Sequence, residues 1–212
     1  MALALVVLLA YLSGSLPFGL WIGLARGVDV RTVGSQNLGA TNVYRTLGPG
    51  LGILTLVLDI LKGALPVWLL PSQDFAQAFT RSVPNGPEWC AVIAGLAAVA
   101  GHVFTLFAGF KGGKGVATTA GVLIALSPQA FGVFAGVFIV TLLATRYVSL
   151  GSILGSVAFT IALAFWSPAG VLSPVFGVGA LLALLVIVRH KDNIARLARG
   201  EERRFAFTRG KS

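Results

Sequence analysis

Three polar segments interrupt an otherwise apolar chain, and each is built from groups suited to holding anions. The first is Gly34-Ser35-Gln36-Asn37-Leu38-Gly39-Ala40-Thr41-Asn42-Val43-Tyr44-Arg45. Its glycines let the backbone turn close to a ligand, and Ser35, Asn37, Thr41 and Asn42 offer hydrogen bonds. Arg45 offers a planar fork that matches phosphate. A capped loop with an interfacial arginine would read the same way on composition alone. The second segment follows His102 and reads Phe110-Lys111-Gly112-Gly113-Lys114-Gly115-Val116-Ala117-Thr118. A helix is expected to begin near Val116, so its unpaired backbone N–H groups and positive end point where the two ammonium groups lie. This is an anion site, but it is not a Walker A loop. Ala108 replaces the first glycine of that motif, and Gly115 replaces the hydroxyl residue that would hold magnesium.

The third segment runs His190-Lys191-Asp192-Asn193-Ile194-Ala195-Arg196 and on to Gly200-Glu201-Glu202. If the last apolar run continues as a helix beyond the membrane, His190, Asn193 and Arg196 share one face. Asp59 and Lys62 stand three apart inside an apolar run, where unpaired charge is expensive. They are expected to pair, as a structural brace or beside a substrate. No G-x-S-x-G elbow is present, and Phe107 and Ala195 occupy the positions five after His102 and His190. A covalent acyl-enzyme is therefore not expected.

These segments must be positioned by membrane helices. The chain of 212 residues is 56% hydrophobic and only 11% charged, with a mean hydropathy of +0.89, which excludes an ordinary water-soluble domain. Apolar runs at about 3–25, 49–70, 88–108, 116–127, 129–145, 148–166 and 171–189 predict an all-α membrane protein. The expected form is a polytopic bundle of about seven transmembrane helices in a single domain, 1–212. The fourth run is short, paired with the fifth around Ser127-Pro128, and six spans is the alternative count. Met1 to Leu24 has no basic residue before its apolar run and is read as a span rather than a cleaved signal. Cys90 is read as a small packed residue, and 71–87 as an ordinary extracytoplasmic connection.

With seven spans, Arg26, Arg31, Arg45, Lys111, Lys114, Arg146, Arg189, Lys191, Arg196, Arg199, Arg203, Arg204, Arg209 and Lys211 fall on one side and Arg81 on the other. The basic side is predicted to be cytoplasmic, with the N-terminus outside and the C-terminus inside. The net charge of +9 thus belongs to a membrane surface, and no nucleic acid partner is expected. Residues 203–212 are read as an anchor on anionic headgroups. A transporter of phosphate-bearing anions would use similar basic loops, yet it would want polar groups through the membrane depth and shows no inverted repeat here. An alcohol phosphotransferase would need clustered aspartates, which Asp29 and Asp192 do not form.

The segments GSQNLGATNVYR, GHVFTLFAGFKGGKGVAT and HKDNIARLARGEERR resemble, in order, the three signature segments of the bacterial acyl-phosphate:glycerol-3-phosphate acyltransferase (PlsY) family. The likeness covers essentially the whole chain and includes the LDILKG stretch. It implies transfer of a fatty acyl group from acyl phosphate to the sn-1 hydroxyl of glycerol-3-phosphate, giving lysophosphatidic acid and phosphate in the first acylation of phospholipid biosynthesis. Carried over by motif, Ser35, Arg45, Lys114, His190 and Asn193 form the catalytic set that holds glycerol-3-phosphate, with Lys111 also in reach. Thr41, Asn42 and the Gly112-Gly113 backbone surround the acyl-phosphate headgroup. Asn37, His102, Gly115, Thr118, Arg196 and Glu202 complete the substrate-binding residues. The proton acceptor is His102, His190 or an oxygen of the acyl phosphate, and the resemblance favours the last. No metal or cofactor is expected. Membrane lipids and functional coupling to the enzyme that makes acyl phosphate are. The implied location is the bacterial inner membrane, with the site facing the cytoplasm. Two positions depart from the family pattern: Thr105 replaces a common Pro, and Arg204 a common Lys.

Overall fold

The computed structural model describes residues 1–167 and 170–205; Arg209 and Lys211 lie outside the described residues. The described chain is helical and divides into two compact units, Met1–Leu126 and Ser127–Ser212.

In the first unit, α1 (Ala2–Ser15) and α2 (Phe18–Leu24) share one apolar run broken at Leu16-Pro17. Proline lacks an N–H and clashes with the carbonyl four residues back, so Leu16 turns to ψ 110 and a new helix starts at Pro17. α3 (Ala40–Leu47) carries half of the first polar segment, where only a turn was expected. α4 (Pro49–Leu69) and α6 (Gly86–Val103) are long apolar helices, and α7 (Val116–Leu126) is short. α5 (Asp74–Thr80) lies inside the expected plain connection, where Ala76, Phe75 and Phe79 pack on Val6, Ala10, Cys90 and Ala94.

Apolar burial cannot hold helices together in lipid, so close backbone approach at small residues takes over. A Cβ on Gly14 would lie 1.9 Å from the Ala98 carbonyl oxygen, and one on Gly63 would lie 2.2 Å from that of Thr118. These contacts fuse α1 to α6 and α4 to α7.

The second unit holds α8 (Pro128–Thr145), α9 (Val148–Trp166), α10 (Pro174–Arg189) and α11 (Lys191–Ala198). Phe131, Phe134 and Phe138 stack along α8 at 5.7 and 6.0 Å, and Gly151 and Gly155 of α9 accept the Phe138 and Phe134 rings.

All seven apolar runs are helical. Among the described residues five segments are long and apolar enough to cross a bilayer, and α10 with α11, bent by 56°, counts as a sixth if the pair is one span. The 11 residues of α7 reach about 16 Å, short of a ~30 Å hydrocarbon core.

Candidate active site

Asn42 organises the first segment. Its side chain is 1% exposed; Oδ1 accepts the Ser35 N–H at 2.8 Å, and Nδ2 donates to the carbonyls of Val30 and Val33 at 2.9 and 3.2 Å. With its amide spent on the backbone, Asn42 folds the loop around itself. Asn37 turns the next corner by accepting the Gly39 N–H at 2.8 Å. Ser35 is left exposed, while Thr41 and Arg45 are half-buried one turn apart on α3.

The second segment folds back onto the end of α6. Phe110 N–H donates to the Thr105 carbonyl at 2.8 Å, Gly112 N–H to Val103 at 3.0 Å and Gly113 N–H to His102 at 3.2 Å. The fold demands both glycines: a Cβ at 112 would lie 1.8 Å from the His102 carbonyl oxygen, and one at 113 would lie 2.2 Å from His102 Nε2. Gly115, at φ +82, accepts the Thr119 N–H at 2.7 Å and opens α7 near Val116, as expected. Lys111 is exposed and Lys114 half-buried. Thr118 is fully buried on the face that meets Gly63 of α4.

His102 is 6% exposed, with Nδ1 3.9 Å from Asp59 Oδ1. Asp59 and Lys62 do pair, at 2.7 Å. A cavity of about 10 Å³, room for about one water, is lined by these three residues, by Leu38 of the first segment and by Gly113 of the second. The first two segments therefore meet within one unit.

The third segment belongs to the second unit. The last span does not run on straight: it bends at His190, whose N–H is shared between the Val186 and Ile187 carbonyls at 3.1 and 3.0 Å. The shared continuous helical face through His190, Asn193 and Arg196 is thereby broken, and only the last two remain on one helix, α11. His190 is 3% exposed, and its Nδ1 lies 2.7 Å from the Val186 carbonyl. A carbonyl only accepts, so Nδ1 carries the proton, and in the neutral ring Nε2 is the acceptor.

α11 ends in a Schellman motif: Glu201 N–H donates to Arg196 at 2.8 Å and Gly200 N–H to Leu197 at 3.1 Å, with Gly200 at φ +72. The turn brings Glu202 back over its own helix. Its carboxylate accepts from Asn193 Nδ2 at 2.6 Å, Ser149 Oγ at 2.7 Å and Arg196 Nε at 2.8 Å. Burial pushes its pKa up, but these hydrogen bonds and the Arg196 charge outweigh that and hold the carboxyl below its usual range. Ser149 had no signal in the sequence beyond following the polar break at Arg146-Tyr147. Arg204, the family departure, lies over Tyr147 at 5.7 Å from the ring centroid. The other departure, Thr105, donates its hydroxyl to the Ser15 carbonyl at the break in the first span. Among the described residues, no three or more His, Cys, Asp or Glu gather as metal ligands.

Comparison with known proteins decides the family: the profile described as glycerol-3-phosphate acyltransferase matches residues 4–200. The chain belongs to the glycerol-3-phosphate acyltransferase family. A glycerol-3-phosphate acyltransferase from Geobacter sulfurreducens is 45% identical over 196 residues, covering 92% of this chain and 94% of its own. One from Fusobacterium nucleatum is 41% identical over 208 residues, covering 98% and 100%. The crystal structure of PlsY, an integral membrane glycerol 3-phosphate acyltransferase, matches in its glycerol 3-phosphate form with a TM-score of 0.84 at 39% identity, over 97% of this chain and 96% of that one. Its lysophosphatidic acid form matches at 0.81 and 38%, with the same coverage. The chain is thus a multi-pass α-helical membrane acyltransferase of this family.

Proposed function

We propose that this protein transfers a fatty acyl group from acyl phosphate to the sn-1 hydroxyl of glycerol-3-phosphate, at the cytoplasmic face of a bacterial inner membrane, with its two units working as one domain. The observation that carries this reading is the meeting of two glycine-bearing segments at the start of α7, with Arg45 and Lys114 on those segments. Both substrates bear phosphate, one on a small soluble molecule and one on a lipid. A basic surface at the membrane boundary can hold both.

Ser35, Arg45, Lys114, His190 and Asn193 hold glycerol-3-phosphate, and Lys111 adds charge at the rim. Thr41 and the backbone of Gly112-Gly113 hold the acyl-phosphate headgroup. Asn42 acts by fixing the shape of its loop, and Glu202 by orienting Asn193 and Arg196. A carboxylate near phosphate would repel it; the Arg196 guanidinium offsets that charge, while Asn193 and Ser149 fix the direction of the carboxylate.

The sn-1 oxygen attacks the acyl carbonyl carbon and forms the ester bond. The bond to the phosphate oxygen breaks, and phosphate leaves with that electron pair. The hydroxyl proton passes to a phosphate oxygen of the donor, with His190 Nε2 orienting the hydroxyl. Phosphate is already a good leaving group, so positioning and charge stabilisation supply the catalysis, and neither metal nor acyl-enzyme is needed.

The test is lysophosphatidic acid formation by purified, reconstituted protein. Acyl phosphate and glycerol-3-phosphate should suffice, with full activity after exhaustive chelation. A need for magnesium or for acyl-CoA would refute the reading. Functional coupling to the donor-producing enzyme should then show as faster turnover when the two are reconstituted together.

A further inference from the structure

The first unit buries charges that the acyl transfer itself does not use. Asp59 and Lys62 are 2% and 4% exposed and pair at 2.7 Å. Such a pair adds little net stability over apolar residues of similar volume, because removing both ions from solvent offsets their attraction. Their placement points to geometry instead. Lys62 Nζ also donates at 2.7 Å to the carbonyl of Leu16, the residue at the Pro17 break, and lies 5.6 Å from the Phe18 ring centroid. Just beyond the break, α2 packs so closely that a Cβ on Gly19 would lie 1.9 Å from the carbonyl oxygen of Leu38, in the first polar segment. On the other side, Asp59 faces His102 Nδ1, and the opposite edge of that ring covers Gly113 of the second segment.

We propose that Asp59, Lys62 and His102 are positioning residues, a brace that fixes the glycine-lysine loop relative to the broken first span and so sets the spacing of the two anion-binding segments. The ammonium locks the break that seats Leu38. The carboxylate lies 3.9 Å from Nδ1, beyond hydrogen-bond reach, and bounds the imidazole that seats Gly113. Remove the polar contacts and the helices stay packed through their glycine contacts, while the loop loses its stop. The kinetic part of this inference rests on the acyltransfer reading; the structural part does not.

Two double variants test it. In Asp59→Leu/Lys62→Met both charges and their hydrogen bonds go. In Asp59→Asn/Lys62→Gln the charges go while a donor and an acceptor remain. The apolar pair should stay monodisperse in detergent with a thermal midpoint no lower than wild type. It should nevertheless lose about 10-fold or more in kcat/KM for lysophosphatidic acid formation, since a shift of about 1 Å at a reacting centre costs up to ~100-fold. Hydrogen–deuterium exchange in peptides covering 109–117 should speed up, because the Gly112 and Gly113 N–H bonds to α6 loosen. The polar pair should stay within about 3-fold of wild type with unchanged exchange, as a hydrogen-bonded brace requires. Wild-type kinetics and exchange in the apolar pair would overturn the brace, as would a polar pair that is folded yet equally impaired. If exchange changes as stated but wild type makes no product from acyl phosphate, the brace stands and the acyltransfer reading fails.

Discussion

Replacing Gly113 by Ala isolates the loop from the charges that surround it. The added Cβ would lie 2.2 Å from His102 Nε2 and 3.0 Å from Cε1. Ordinary contact needs about 3.4 Å, so the loop or the ring must move by about 1.2 Å. His102 is 6% exposed and bounded by Asp59, so much of that shift falls on the loop. A displacement of about 1 Å at a reacting centre costs on the order of 100-fold, or ~2.7 kcal/mol of barrier. Gly113→Ala should therefore express and remain monodisperse while losing roughly 100-fold in kcat for lysophosphatidic acid formation. Gly136→Ala is the comparison, because a Cβ there meets nothing within 4 Å, and that variant should match wild type. Equal kinetics for the two variants would show that the 112–113 backbone is not part of the site.

Lys114→Ala should fold and lose about 10–150-fold in kcat/KM, the worth of a charge-assisted hydrogen bond, read at saturating and limiting glycerol-3-phosphate. Arg209→Ala, in the basic tail, should stay near wild type in the same assay. Glu202→Gln should cost about 10-fold or more in kcat by releasing Asn193 and Arg196. Because the folded-state pKa of Glu202 is lowered, its contribution is complete above the unfolded-state value of about 4.3 and is lost as pH falls through the lower folded value. The thermal-midpoint gap between wild type and Glu202→Gln should accordingly be constant from pH 5 to 8 and close in stronger acid. Reporter fusions after Ser212 and within 72–86 should report opposite sides of the membrane; the same side would refute the predicted orientation.

Much of this architecture is legible in the sequence because lipid leaves an apolar run of such length one option, a helix. The start of α7 was legible from the glycines before Val116, and the pairing of Asp59 with Lys62 from their spacing. Other features depend on contacts that no local pattern encodes. The bend at His190 is invisible because the residues around it keep a helical spacing, and Glu202 reaches Asn193 only through the reversal at Gly200. α3 does carry a helical period, Ala40, Val43, Tyr44 and Leu47 at i, i+3, i+4 and i+7, but over only two turns and among polar residues that read as ligand contacts, and the prolines flanking α5 disguise it as loop. The break at Pro17 did have a signal, the proline itself. Asn42 offers the clearest limit: its residue type suggested a ligand contact, but only the fold shows its amide taken up by Val30, Val33 and Ser35.

The 11 residues of α7 reach only about 16 Å, and none of them is exposed: Thr118 packs on Gly63, and Gly121 on Ile60, of the longer α4. A helix too short to span is tolerated at membrane depth where protein rather than lipid surrounds it, and here α4 and α6 supply those neighbours. The thickness of the host membrane therefore acts on the long outer helices, and the loop that carries Lys114 opens a helix shielded from it. One undersized helix, walled in by its neighbours, thus lets a polar loop reach deeper than the span count alone would allow.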